Sequence, residues 1–152
     1  MRARVLGLLA VLALFALSSC GTTLAADKQL YVTGDIVLGT QGSPDICVLR
    51  SRYAPGERVV WRADIIDPST GKAVEDADVT VYVSNGQTFK MKYGPHGQTE
   101  PKPKFYTVGW TVPDNATPQT LSYSIEAKAG SKVGRFEPFK VAPSQLTIVA
   151  KK

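Results

Sequence analysis

From Gln29 onward, apolar and polar residues alternate in short runs broken by glycine, proline and asparagine. Arg58 to Ile66 is the clearest run. Val59, Trp61, Ala63 and Ile65 fall on one face, Arg62 and Asp64 on the other, and a period of two marks a half-buried strand. Asp78 to Ser84 repeats the pattern through Val79, Val81 and Val83. Asn85-Gly86 then signals a hairpin, because both residues tolerate positive φ. The return strand, Gln87 to Tyr93, is predicted to turn Phe89 and Met91 inward and Lys90 and Lys92 outward. Phe105 to Val112 alternates through Tyr106, Val108, Trp110 and Val112, and Thr120 to Ala129 through Leu121, Tyr123, Ile125 and Ala127. Gln29 to Leu38, Asp45 to Arg50, Arg135 to Val141 and Gln145 to Val149 complete the set. No segment holds a helical period. The pattern predicts an all-β, antiparallel sandwich of about seven to nine strands over 29–152.

The turns between these runs carry a resemblance. Tyr53-Ala54-Pro55-Gly56-Glu57-Arg58-Val59-Val60-Trp61, then Asp67-Pro68-Ser69-Thr70-Gly71-Lys72 and Asp76-Ala77-Asp78-Val79-Thr80-Val81, look like the turn and core motifs of bacterial immunoglobulin-like domains. The ending Phe136-Glu137-Pro138-Phe139-Lys140-Val141 does too. The resemblance spans most of Ile46 to Val149 and implies a fold without implying an active site. The disulfide that many such domains place against a core tryptophan is absent.

The first residues follow another logic. Arg2 and Arg4 precede an apolar run from Val5 to Leu17, which is short for a spanning helix and of ordinary length for a signal-peptide core. Leu17-Ser18-Ser19-Cys20 resembles the bacterial lipobox, which implies cleavage before Cys20 and covalent lipid on its sulfur. Residues 1–20 are then a lipoprotein-type signal and 21–28 a tether reaching at most about 30 Å. Two or more acyl chains anchor stably, so the expected location is the cell envelope. Gly21, in the place where an aspartate would resemble an inner-membrane retention signal, suggests the outer membrane facing the periplasm. The alternative is an ordinary signal cut near Thr23-Leu24-Ala25 or Leu24-Ala25-Ala26, giving a soluble periplasmic or secreted protein.

Without the signal, the 18 basic residues lose Arg2 and Arg4 and face 13 acidic ones. That surplus is too mild for a nucleic-acid binder. Cys47 is the one thiol left in the mature chain, so no internal disulfide forms. Its run Ile46-Cys47-Val48-Leu49 predicts a buried core strand; pairing between molecules, redox chemistry and metal ligation are the alternatives.

Candidate chemistry is sparse. His96 is the only histidine, which leaves a serine triad without a sound geometry, and the chain is expected to be no enzyme and to hold no cofactor beyond the lipid. Cys47, Met91 and His96 offer the soft and imidazole ligands of copper sites, yet a blue-copper centre wants a second histidine. Asp64, Asp67, Glu75, Asp76 and Asp78 surround one turn, but their spacing does not match a calcium loop. Asn115-Ala116-Thr117 fits the glycosylation pattern, which a bacterial signal makes accidental. The stretch Gly94 to Lys104 is long for a hairpin connection and is predicted to be a contact surface. Its His96, Glu100, Lys102 and Lys104, with Lys90 and Lys92 nearby, would form a mainly basic patch. The expected function is therefore an envelope lipoprotein that binds or helps assemble another envelope protein. A redox or copper-type accessory protein using Cys47 and His96, or a secreted adhesin-like domain, stands as the alternative.

Overall fold

A computed structural model of the chain describes residues 29–97 and 100–151. The signal, Cys20 and the 21–28 tether lie outside the described residues. In chain order the strands are β1 Tyr31–Leu38, β2 Arg52–Tyr53, β3 Arg58–Asp67, β4 Lys72–Ala73, β5 Asp78–Val83, β6 Thr88–Lys90, β7 Lys92–Pro95, β8 Lys104–Thr111, β9 Gln119–Leu121, β10 Tyr123–Ala129, β11 Lys132–Phe136 and β12 Leu146–Ile148. Among the described residues there is no α-helix. One sheet has the order β1-β3-β8-β7, with β4 added to β3, and a second has β11-β10-β5-β6. A small third sheet, β2-β12-β9, contains a parallel pair, β2 with β12. The fold is an all-β sandwich.

Its core comes from the alternation. Val59, Trp61, Ala63 and Ile65 of β3 are buried against Val79, Val81 and Val83 of β5 and Tyr123, Ile125 and Ala127 of β10. The Trp61 ring stacks on Phe89 at 5.3 Å and meets Tyr123 edge-on at 6.2 Å, geometries that aromatic pairs favour. Tyr106 is buried with them, and its hydroxyl donates to Val74 O (2.9 Å) while accepting from Ala77 N (2.8 Å).

Five details depart from the sequence expectation. Asp45 to Arg50 is not a core strand: it is a run of turns ending in a β-bridge between Leu49 and Val37. Cys47 N donates to Leu38 O and Leu38 N to Val48 O, so two residues oppose one, as in a β-bulge. Cys47 occupies φ 67°, a conformation usually left to glycine. It is exposed, as are Ile46, Val48 and Leu49. The segment covers the edge of β1 with its backbone, and the core face is already filled by β3, β5 and β10.

The Asn85-Gly86 hairpin is present, with only Gly86 at positive φ (88°). Gly86 N and Gln87 O bond the carbonyl and amide of Val83 at 2.9 Å each, a turn closed by a glycine bulge. The strand after it is split. Lys90 still pairs with Thr80 of β5, whereas Lys92 pairs with Thr107 of β8. The chain crosses between sheets at Met91, whose side chain is buried in the core. The expected loop from Gly94 is partly strand, since Gly94 pairs with Phe105 and Pro95 with Lys104. Finally, β11 stops at Phe136, and Phe139 and Val141 beyond it are exposed.

Candidate functional site

The outer face of the first sheet carries rows of side chains set by strand register. Val37, Val60 and Gly109 stand side by side across β1, β3 and β8, and the next row holds Asp35, Arg62, Thr107 and Lys92. The first row is apolar on a face that points away from the core. Gly39, Gln41, Ile46 and Cys47 border it from the turn after β1, and His96, Gly97 and Pro103 from the described ends of β7 and β8. Between them lies a groove of about 440 Å³, within the range of binding clefts.

Glycines shape the floor. A Cβ at Gly109 would lie 2.5 Å from Arg58 Cζ and 2.6 Å from its Nε, so the guanidinium rests flat on the bare backbone there. A Cβ at Gly39 would collide with Val60 Cγ2. Gly109, inside β8, is the kind of strand glycine that marks a close approach by another group. Arg62 also lines the groove and is held by Asp35 through two bonds of 2.7 and 2.6 Å; the bidentate fork fixes its plane and keeps its proton more firmly bound than usual. Its guanidinium lies 5.8 Å from the centre of the Phe105 ring, close enough for cation–π attraction. His96 also stacks on Phe105, at 4.5 Å with 19° between planes. His96 Nε2 and Thr107 Oγ1 are 3.2 Å apart.

Two residues singled out for their chemistry, Cys47 and His96, thus line one groove. Met91 does not join them, because its side chain sits between the sheets; the three-ligand copper set is not assembled. Among the described residues no three His, Cys, Asp or Glu side chains form a metal-holding group. Two residues of the acidic turn are committed elsewhere: Lys132 Nζ bonds Asp67 at 2.5 Å and Lys90 Nζ bonds Asp78 at 2.5 Å. The Lys132 bond, helped by Ser69, draws the Asp67 carboxyl down to about 2.

The expected basic patch is divided. Lys90 faces outward on the second sheet, Lys92 on the first. Glu100 and Lys102 pair with each other at 3.3 Å before β8, and Lys104 is exposed at the start of β8. Arg58, Arg62, Phe105 and Gly109 carry the groove instead. Their alternation marks Arg58 and Arg62 only as outward-facing, and the one available signal was a glycine inside a strand.

A larger concavity of about 720 Å³ lies on the outer face of the second sheet; there Asp78 pairs with Lys90 and Glu126 with Arg135, while Lys128 stands outside these pairs. In the groove no carboxylate appears among the lining residues, and none of the ion pairs among the described residues uses Arg58. The groove thus pairs an apolar lining with a cation and has no carboxylate of its own. No protein-family model matches the chain, and neither does any curated protein sequence.

Proposed function

We propose that this protein is a non-enzymatic envelope lipoprotein, an immunoglobulin-like sandwich tethered through acylated Cys20, that uses the Arg58–His96 groove to bind or assemble with another envelope protein. The strand order supports the family part of this reading. The sheets β1-β3-β8-β7 and β11-β10-β5-β6 follow the A-B-E-D and G-F-C-C′ orders of immunoglobulin-type sandwiches. The core tryptophan departs from that pattern, since Trp61 lies on the second long strand and not the third.

One observation carries the binding role: an apolar floor bordered by an arginine without a carboxylate partner. Val60 and Phe105 are among its partly exposed apolar members, and apolar surface with few, well-placed charges is what partner surfaces present. The test is photo-crosslinking in native cells, with the photoreactive residue at Gln41 beside the groove or at Thr88 on the opposite sheet. Adducts from Gln41 alone support the reading; adducts from neither position, or equally from both, reject it. Intact mass of the mature chain tests the tether, which requires an N-terminus at acylated Cys20.

A second reading is favoured by one finding, that Cys47 and His96 line the same groove. It makes the protein a redox or copper-type accessory factor. Titration of untagged protein with Cu(I) decides: one-to-one binding lost in both Cys47→Ser and His96→Ala would replace the first reading, and absence of binding removes the second.

A further inference from the structure

We infer that the groove takes an extended acidic peptide segment of a partner protein, with one of its carboxylates on Arg58 and a neighbouring apolar side chain against Val60 and Phe105. The inference rests on the binding role proposed above and names the chemistry of what is bound.

Three features select this occupant. First, Arg58 is the positive group left open: Arg62 is already taken up by Asp35, and no acidic residue lines the groove. Bringing a carboxylate there restores the balance and gains a charge-assisted hydrogen bond. Second, the guanidinium is seated rather than free-swinging. It lies on Gly109, so less side-chain freedom is lost when the anion arrives. Third, the groove is amphipathic. Val60, Ile46 and Phe105 offer exposed or partly exposed apolar surface beside the two arginines, with Val37 already buried. Bare phosphate or a lipid headgroup would satisfy the charge and leave the apolar floor wet. An extended peptide places successive side chains on opposite sides at strand spacing, so acidic and apolar residues in alternation or close succession match both demands.

The experiment uses the isotope-labelled full chain and a capped peptide alternating leucine with aspartate. The same peptide with asparagine for aspartate, and phosphatidylglycerol against phosphatidylcholine vesicles, serve as comparisons. Amide shifts are expected at Gln41–Cys47, Arg58–Arg62 and Thr107–Gly109 with the aspartate peptide. Arg58→Glu should weaken that binding by about ten- to a hundred-fold, the scale of a hydrogen bond to a charged group. Gly109→Ala should weaken it too, because its new Cβ displaces the guanidinium while the strand backbone can remain. Unfolding midpoints of both variants near that of the wild type show that the fold is intact.

Equal shifts from the asparagine peptide, shifts on the second sheet, or full affinity in a folded Arg58→Glu variant would each overturn the inference. So would anionic vesicles binding where the peptide does not. The two levels separate cleanly in cells: Gln41 adducts that persist unchanged in Arg58→Glu sink the acidic-peptide inference alone, whereas the absence of Gln41 adducts in the wild type sinks the binding role itself.

Discussion

Gly134 is where the start of the sandwich is fastened to its last long hairpin. Leu30 N donates to Val133 O at 2.8 Å, and Leu30 is 3 % exposed. A Cβ at Gly134 would strike the Leu30 carbonyl oxygen and lie 2.7 Å from Val32 Cγ2 and 2.9 Å from Leu30 Cβ. The carbonyl belongs to backbone already bound to the neighbouring residue, so it cannot swing aside alone. Gly134→Ala therefore has two ways to relax. The chain start can peel away, losing about 2–3 kcal/mol of leucine burial and about 1 kcal/mol of hydrogen bond. Otherwise β11 shifts and strains the packing by about 1–3 kcal/mol. The cheaper route sets the cost, and alanine recovers about 0.5–1 kcal/mol over glycine in a strand. A net loss of about 1–2 kcal/mol is expected. In urea, with a slope of about 1–3 kcal/mol per molar, the midpoint should fall by roughly 1 M. Gly94→Ala is the matched control, since nothing lies within 4 Å of its would-be Cβ and its φ is outside the left-handed region. It should be neutral or stabilising by up to about 1 kcal/mol. Indistinguishable midpoints for the two variants would refute the close-approach argument.

Removing the Tyr106 hydroxyl strands Val74 O and Ala77 N, so Tyr106→Phe should cost about 1–3 kcal/mol in the same denaturation assay; a change below about 0.5 kcal/mol would show that water replaces it. The low Asp67 value has a defined sign. A carboxyl held at about 2 when folded and near 3.9 unfolded contributes stability that is present above the unfolded value and lost as pH falls through the folded one. From about pH 5 down to about pH 2, wild-type stability should thus fall more steeply than that of Lys132→Gln, as followed by thermal midpoints, and parallel curves would contradict the assignment. With Cys20→Ser in the chain, Cys47 should react fully with a thiol reagent before unfolding. Reaction only in denaturant would return Cys47 to the core.

Where the sequence was readable, one physical rule sufficed. The inward residues of β3, β5 and β10 are buried as their alternation requires, because each strand has one face on the core. The failures came from segments whose local pattern has two physical outcomes. Ile46 to Leu49 is apolar like a core strand, yet the edge of β1 needed only its backbone bonds. Gln87 to Tyr93 alternates without a break while changing sheets, since Met91 can face the core from the crossing point. As for the groove, Cys47 and His96 stood out by rarity and do line it. Arg58 and Phe105 were invisible until register set them beside Gly109, because an outward arginine on a strand has no local signature of its surroundings.

The pairing of β12 with β2 has a temporal consequence. Ile148 lies beside Tyr53, and Val149 N bonds Tyr53 O at 2.9 Å, joining segments nearly a whole domain apart in the chain. The β2–β12–β9 sheet therefore forms only once Leu146–Ile148 has been made and is free to return. Contacts of such sequence separation are slow to close. Tyr53 and Leu146, both fully buried in the finished domain, remain open to solvent until then. Until β12 docks, one end of the sandwich stays unsealed, and this strand acts as the stopper.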